Sequence, residues 1–178
     1  KTKVQVEDNK KVSTSKLANY LRQKHNSEIL GFWKLQLHIY NTAPVDTTTK
    51  AKKRLQRNAF AMGEAPEIYD AALTEISMQQ LQKALQNMGY FNAQVDTAKR
   101  VKNRKVWLTY KVRTGEPYFI RDYSVDLEHP DLYRFATGRG QLVKNGQQFD
   151  SEVMDEERQR VTNRMRGDGY HYFEKNML

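Results

Sequence analysis

Residues 69–90 read YDAALTEISMQQLQKALQNMGY, and this stretch decides the fold because the chain contains a second version of it. Residues 149–170, 80 positions later, read FDSEVMDEERQRVTNRMRGDGY and align with it without a gap. A cap, apolar positions and a helix stop that all coincide are rarely a product of chance, so the sequence predicts a folding unit present twice. The matched pairs are Tyr69/Phe149, Asp70/Asp150, Leu73/Val153, Gln79/Gln159, Leu81/Val161, Leu85/Met165, Gly89/Gly169 and Tyr90/Tyr170.

Each version predicts one amphipathic helix with a defined start and end. Asp70 and Asp150 are N-cap candidates, because a short carboxylate accepts hydrogen bonds from the unpaired amides of a first helical turn. Apolar residues then recur on one helical face. Gly89 and Gly169 stand where a helix ends in a left-handed residue, which glycine adopts without a Cβ clash. We expect a strand after each of these glycines.

The apolar period changes from helical to alternating between the two versions. Alternation over residues 91–95 and 106–112 predicts two strands of a hairpin, joined by a basic turn from Lys99 to Lys105. The punctuation Gly115-Glu116-Pro117 marks a junction between two domains, after which alternation predicts a further strand over Tyr118–Leu127.

The N-terminal segment completes this pattern. Val4 and Val6 alternate as a short strand, and Ser13 or Thr14 can cap a short helix after it. Residues 1–23 and 67–114 therefore predict the order strand, helix, helix, strand, strand. The same order begins again after residue 117, and its last strand is missing.

Composition excludes several classes of protein. The 178 residues carry 30 Lys and Arg against 21 Asp and Glu, a net charge of +9, and contain no cysteine. A disulfide scaffold, a thiolate metal site and a cysteine nucleophile are therefore excluded. No apolar run reaches the roughly 18 residues of a membrane-spanning helix. We expect the chain to be a piece of a longer protein.

Residues 24–66 are not explained by the repeat. The aromatic segment Leu30–Tyr40 fits either a strand or an amphipathic helix. Its Phe32 and Trp33 are a candidate partner-docking patch, with packing onto the first domain as the alternative.

A basic run follows in the same insertion and gives residues 1–66 most of the positive charge. They hold 13 basic and 5 acidic side chains. This basic patch has two interpretations. It contacts anionic lipid headgroups or an acidic partner, or it is a solvated surface that promotes solubility. Its candidate residues are Lys50, Lys52, Lys53 and Arg54.

The β-α-α-β-β order resembles the polypeptide-transport-associated (POTRA) domain. The helix exit Asn87-Met88-Gly89-Tyr90-Phe91, the junction Val112–Ile120 and the lead-in Asn145–Asp150 all resemble that family. The resemblance implies an α+β fold of tandem POTRA-like domains, each a three-stranded mixed sheet with two helices on one face. It places the first domain at residues 1–116, with an insertion at about 24–66. The second domain, residues 117–178, is then truncated.

The run Tyr20–Ser27 with Gly31 also resembles outer-membrane assembly factors of the Bam/Tam kind in Bacteroidetes, although His25 stands where a proline is usual. This resemblance implies a periplasmic arm, attached to the outer membrane through a barrel outside this chain. Such an arm receives unfolded outer-membrane protein clients, helps insert them and contacts other subunits of the assembly machinery.

The family's fold also places the strand after the second helix at the sheet edge. There it can add a client strand through main-chain hydrogen bonds, a mode called β-augmentation. The candidate client-binding residues are Phe91, Asn92, Ala93, Gln94 and Val95, with a matching edge at residues 171–175.

Other functions are weaker on the sequence. A POTRA scaffold in cell division or secretion shares the fold. Nucleic-acid binding is suggested by the high pI, but no RNP-like motif is present, and we expect no nucleic-acid partner. The four histidines show no metal-ligand spacing, and adjacent Glu156 and Glu157 cannot flank one substrate. We therefore predict a non-enzyme with no catalytic residues, no metal site and no cofactor.

Overall fold

The computed structural model describes residues 1–28, 34–103, 105–125, 130–137 and 140–178. In the first repeat the strands and helices follow one another in the predicted order, with two further helices in the insertion. In chain order they are β1 (Thr2–Val6), α1 (Thr14–Ala18), α2 (Leu35–Asn41), α3 (Lys50–Met62), α4 (Ala71–Asn87), β2 (Gln94–Lys102), β3 (Lys105–Arg113), α5 (Pro130–Thr137) and α6 (Ser151–Gly167), with a final 3-10 turn at Lys175–Met177.

The three strands form one mixed sheet in the order β1-β3-β2. The amide of Leu108 donates to the carbonyl of Lys1, and the amide of Glu7 donates to the carbonyl of Val112, so β1 runs parallel to β3. β2 and β3 form an antiparallel hairpin. Leu108, Tyr110 and Val112 alternate inward and are buried. This arrangement confirms the predicted α+β class and its three-stranded mixed sheet.

The two versions of the helix match residue for residue at the predicted offset. Both α4 and α6 have 17 residues and begin one position after the aspartate of the repeat. Asp70 accepts a hydrogen bond from the amide of Ala72 at 2.7 Å, and Asp150 accepts one from Glu152 at 2.9 Å. Both N-cap predictions are confirmed, because each carboxylate satisfies an amide that has no intrahelical partner.

The helix ends also match. The amide of Tyr90 donates to the carbonyl of Leu85 at 2.9 Å, and that of Tyr170 donates to Met165 at 3.1 Å. The preceding glycines have φ of +89° and +102°, as the left-handed termination requires.

The two repeats have different secondary structure after these helix ends. β2 begins four residues after Tyr90, whereas a 3-10 turn, Lys175–Met177, follows Tyr170. The predicted edge strand at 171–175 is therefore wrong. A strand is stable only when it pairs with others, and among the described residues no strand pairs with residues 171–175.

The predicted strand Tyr118–Leu127 is also largely wrong. Within the described residues of the second repeat, pairing is limited to a single antiparallel bridge between Phe119 and Gln148. The segment after the junction thus pairs with the lead-in to α6, and the second repeat has no sheet of its own in the part of the chain described. Leu127 lies outside the described residues.

The strands of the hairpin are longer than predicted. Most of the expected basic turn, Lys99 to Lys105, belongs to β2 and β3. The turn itself is short and includes Asn103, whose φ of +50° an asparagine tolerates better than most residues.

The described part of the insertion contains two helices, α2 and α3. The described part of Leu30–Tyr40 contains the helix α2, which decides between the two predicted readings for that part. Phe32 and Trp33 lie outside the described residues, so the proposed patch stays a prediction.

The described residues cluster into two compact units. The first comprises Lys1–Gln5, Ser13–Gln80 and Asp96–Lys111, and its buried side chains include Val4, Leu17 and Leu108. The second comprises Val6–Val12, Leu81–Val95 and Val112–Leu178. Its core includes Ala136, Val161 and Met165, which pack together. The division into domains at residues 116 and 117 stays a prediction.

Candidate binding edge and repeat junction

β2 is the longer of the two outer strands of the sheet. It has nine residues, whereas β1, on the other side of the central β3, has five. Among the strands in the described ranges, none pairs with the outer side of β2. The outer side of β2 is therefore an edge of the sheet as described, the kind of place where a further strand can add.

The side chains of β2 divide it into an anchored start and a solvated remainder. Val95 is buried, and Ala93, just before the strand, is buried as well. All side chains from Asp96 to Lys102 are exposed. The ammonium group of Lys99 lies 4.7 Å from the centre of the Tyr69 ring, a cation–π contact that supports the exposed part of the strand.

The structure divides the five predicted client-binding residues. Gln94 and Val95 lie in β2, as predicted. Phe91 and Asn92 lie in a turn, and Ala93 precedes the strand, so these three are not part of the edge strand. The sequence placed the edge too early, because apolar alternation begins before backbone pairing does.

Phe91 and Asn92 instead contact the second repeat. The Phe91 ring meets Tyr118 edge-to-face at 5.2 Å and lies 5.3 Å from the ring of Phe149. The side-chain amide of Asn92 donates to the hydroxyl of Tyr118 at 3.3 Å. These contacts form an aromatic cluster that joins the exit of α4 to the start of the second repeat.

Backbone hydrogen bonds run through the same place. The amide of Tyr118 donates to the carbonyl of Gly89, and the amide of Phe149 donates to the carbonyl of Tyr118, both at 2.9 Å. The side chain of Gln148 donates to the carbonyl of Met88 at 2.7 Å. A Cβ on Gly89 would lie 2.5 Å from the carbonyl oxygen of Phe149, so this glycine permits a close approach as well as a helix stop.

Asp8 holds the predicted junction from the other side. Its carboxylate accepts hydrogen bonds from the amides of Thr114, at 2.9 Å, and Gly115, at 3.0 Å. Desolvation raises the pKa of this carboxyl, but the bonds from the Thr114 and Gly115 amides outweigh it and hold the pKa below its ordinary value. Gly115 has a φ of +65°, while Glu116 is exposed and Pro117 is half-buried.

Sequence reasoning did not find Asp8. The available signal was an aspartate two residues beyond a strand, a position from which a short carboxylate often binds nearby amides.

The run Arg22–Asn26 also acquires a structural role. The side chain of Gln23 donates to the carbonyl of Ile68 and accepts from the amide of Asp70 at 3.0 Å. Asn26 donates to the carbonyl of Ala65 at 2.6 Å and accepts from the amide of Glu67 at 3.0 Å. These two buried amides hold the ends of the insertion side by side.

The predicted basic patch lies on α3. Thr49 caps this helix by accepting from the amide of Lys52 at 3.3 Å, and Lys52 pairs with Asp46 at 2.7 Å. Lys50, Lys53 and Arg54 are exposed.

The described ranges contain neither a membrane-spanning helix nor a cluster of metal ligands. No helix there is long and apolar enough to cross a membrane. No group of three or more His, Asp or Glu side chains in those ranges could hold a metal ion.

Comparison with known proteins bears on the first repeat. No curated protein matches the chain. The family model for POTRA, described as a surface antigen variable number repeat, matches residues 2–115. The match begins with β1 and ends at Gly115, so it spans the whole three-stranded sheet and the insertion. Because it covers more than half of the 178 residues, the chain belongs to the POTRA family.

Proposed function

We propose that this chain is part of a periplasmic arm of an outer-membrane assembly factor of the Bam/Tam kind. POTRA domains are scaffold modules that bind partner proteins. Here the arm receives unfolded outer-membrane proteins and passes them on for insertion, together with other subunits of the machinery. The observation that carries this proposal is the outer side of β2, a nine-residue strand at the edge of the sheet.

Strand addition suits this edge for a chemical reason. Unfolded outer-membrane proteins consist of segments of about ten residues that alternate in polarity and readily form strands. Main-chain hydrogen bonds recognise such segments with little regard to their sequence. A client strand would extend the sheet beyond β2, and the exposed side chains from Asp96 onward would lie beside its own.

The length of β2 favours weak and reversible binding. An added strand would form about eight hydrogen bonds with it, because each of the four or so outward-facing residues offers one amide and one carbonyl, and each bond contributes about 1 kcal/mol net. Ordering the client segment opposes much of this gain. We therefore expect a contact weak enough to release the client to the next site.

Charge on the edge limits unwanted pairing. Lys99, Arg100 and Lys102 are exposed along β2. A row of cations disfavours pairing of this edge with a second copy of itself, as in natural edge strands generally. It still accepts neutral or acidic client segments.

Crosslinking tests the proposal. A photoreactive amino acid replaces Asp96 or Arg100 in β2, and a matched one replaces exposed Glu156 on α6. We expect an unfolded outer-membrane protein to crosslink through β2 and not through residue 156. Equal crosslinking at both places would contradict the proposal.

Proline substitution gives a second test. Adjacent amides of a strand point to opposite sides, so of Thr97→Pro and Ala98→Pro, one removes an outward donor and the other a bond to β3. The variant that keeps its melting temperature should lose client binding. Unchanged client binding in that variant would overturn strand addition at β2.

A further inference from the structure

The insertion forms a closed helical hairpin. The rings of Tyr40 on α2 and Phe60 on α3 lie 4.8 Å apart. The side chain of Gln56 donates to the carbonyl of Pro44 at 3.0 Å, and the amide of Glu64 donates to Gln36 at 3.1 Å. These contacts bury the side of α3 that contains Ala59 and leave the rest of its surface exposed.

The basic residues of α3 share one face. Lys50, Lys53, Arg54 and Arg57 follow the spacing i, i+3, i+4, i+7, which brings them together on a helix. All four are exposed, and within the described part of the chain none has an ion-pair partner. Residues 34–63 carry six basic side chains against a single acid, Asp46.

This charge is unfavourable for the isolated helix. Four of the cations lie in the first five residues of α3, and its first turn has no acidic side chain. Cations near a helix N-terminus oppose the helix dipole and repel one another. An anionic surface against this face would relieve both effects.

An apolar stripe occupies a different face of α3. Leu55 is 56% exposed and Met62 67% exposed, and Ala51 lies one turn before Leu55. Val45, in the loop that leads into α3, is 99% exposed. An exposed apolar stripe beside a Lys- and Arg-rich face is the pattern of a helix that lies in a membrane interface.

We propose that the α2–α3 hairpin docks onto an anionic lipid bilayer, with Leu55 and Met62 entering the headgroup region and the basic face contacting lipid phosphates. The exposed apolar stripe favours a bilayer over an acidic protein, because a lipid surface receives both cations and apolar side chains without a matching groove. This inference is independent of client binding at β2.

Vesicle sedimentation tests the inference on the whole chain. Vesicles of phosphatidylcholine with about 30% phosphatidylglycerol, which have a negative surface potential, are compared with vesicles of pure phosphatidylcholine. The variant K50Q/K53Q/R54Q/R57Q is compared with a charge-matched control, K10Q/K11Q/K16Q/K144Q, whose lysines are exposed elsewhere.

We expect binding to the anionic vesicles that weakens with salt. The α3 variant should lose at least about tenfold in partitioning, since each cation near an anionic surface contributes severalfold. The control should lose much less. Equal losses in the two variants, or no preference for anionic lipid, would overturn the inference. So would binding to polyglutamate without binding to vesicles.

A spectroscopic test probes the apolar stripe and leaves the basic face of α3 unchanged. Because the chain has no cysteine, L55C and E156C each carry a single environment-sensitive label. A blue shift of the label at residue 55 on addition of anionic vesicles, with none at residue 156, supports insertion. No shift at residue 55 would overturn it. Far-ultraviolet circular dichroism of every variant confirms that it is folded.

Discussion

The amide of Tyr118 donates a hydrogen bond of 2.9 Å to the carbonyl oxygen of Gly89, which links the end of the first repeat helix to the start of the second repeat. The carbonyl of Tyr118 in turn accepts from Phe149, just before α6. One backbone path therefore runs from the exit of α4 to the entry of α6. The glycine that stops a helix in both repeats has an additional contact role in the first.

Substitution of Gly89 separates these two roles, because Gly169 provides a matched control. Both glycines have positive φ, but a Cβ at Gly89 meets the Phe149 carbonyl at 2.5 Å, whereas one at Gly169 meets nothing within 4 Å. We expect Gly89→Ala to lower the free energy of unfolding by about 2 to 4 kcal/mol, and Gly169→Ala by about 1 kcal/mol. Urea unfolding measures both, and equal losses would contradict the contact role.

Asp8 makes the stability of the chain depend on pH. Hydrogen bonds from Thr114 and Gly115 hold its pKa below the ordinary value. The stabilisation is therefore present above the unfolded-state pKa and is lost as the pH falls through the lower folded-state pKa. We expect Asp8→Asn to destabilise the chain at pH 7.

The difference in unfolding free energy between wild type and Asp8→Asn should shrink as the pH falls below about 4. Urea titrations between pH 7 and pH 3 measure it, with exposed Glu156→Gln as the control. A difference that stays constant across this range would show that the carboxylate charge is not what holds Thr114 and Gly115.

The side-chain amides of Gln23 and Asn26 should contribute more to the free energy of unfolding than their position in a loop suggests. Both side chains are about 5% exposed and hold backbone groups at the far end of the insertion. Their removal leaves buried backbone groups unpaired, so Gln23→Ala and Asn26→Ala should each cost about 1 to 3 kcal/mol. The exposed Gln79→Ala, on α4, should change the unfolding free energy by less than about 0.5 kcal/mol. A similarly small effect of Asn26→Ala would show that this side chain does not hold the two ends of the insertion together.

The second repeat contains an ion pair between buried Glu157 and half-buried Arg160. Glu157 accepts hydrogen bonds from the Arg160 guanidinium at 2.7 and 2.8 Å and from the amide of Leu142 at 3.0 Å. Desolvation raises the pKa of Glu157, but the bonds from Arg160 and Leu142 outweigh it and the pKa lies below its ordinary value. Arg160→Met leaves this carboxylate without its cation and should cost about 3 to 5 kcal/mol at pH 7.

The pH dependence of that variant provides a control for lost packing. Without Arg160, burial pushes the folded-state pKa of Glu157 upward, so protonation should relieve part of the loss near pH 4. The double variant Glu157→Gln/Arg160→Met should not show this relief. Thermal melts at pH 7 and pH 4 compare the two, and identical pH profiles would contradict the explanation.

Local signals predicted much of the fold. The aspartate caps, the glycine stops and the apolar spacing of α4 and α6 depend on a few neighbouring residues, so the sequence alone predicts them. The edge position of β2 followed from the family resemblance. The candidate edge was found only in part, since Gln94 and Val95 lie in β2, whereas Phe91 and Asn92 contact the second repeat.

The sequence by itself determined the repeat, because helix start, helix face and helix stop depend on contacts within a few turns of one segment. Only the tertiary structure decided which predicted strands pair, since a strand forms by hydrogen bonds to a distant partner. Tyr118 shows the difference: its segment alternates as a strand should, yet it bonds to Gly89 and Phe149 because those are the backbone groups that the fold brings within reach.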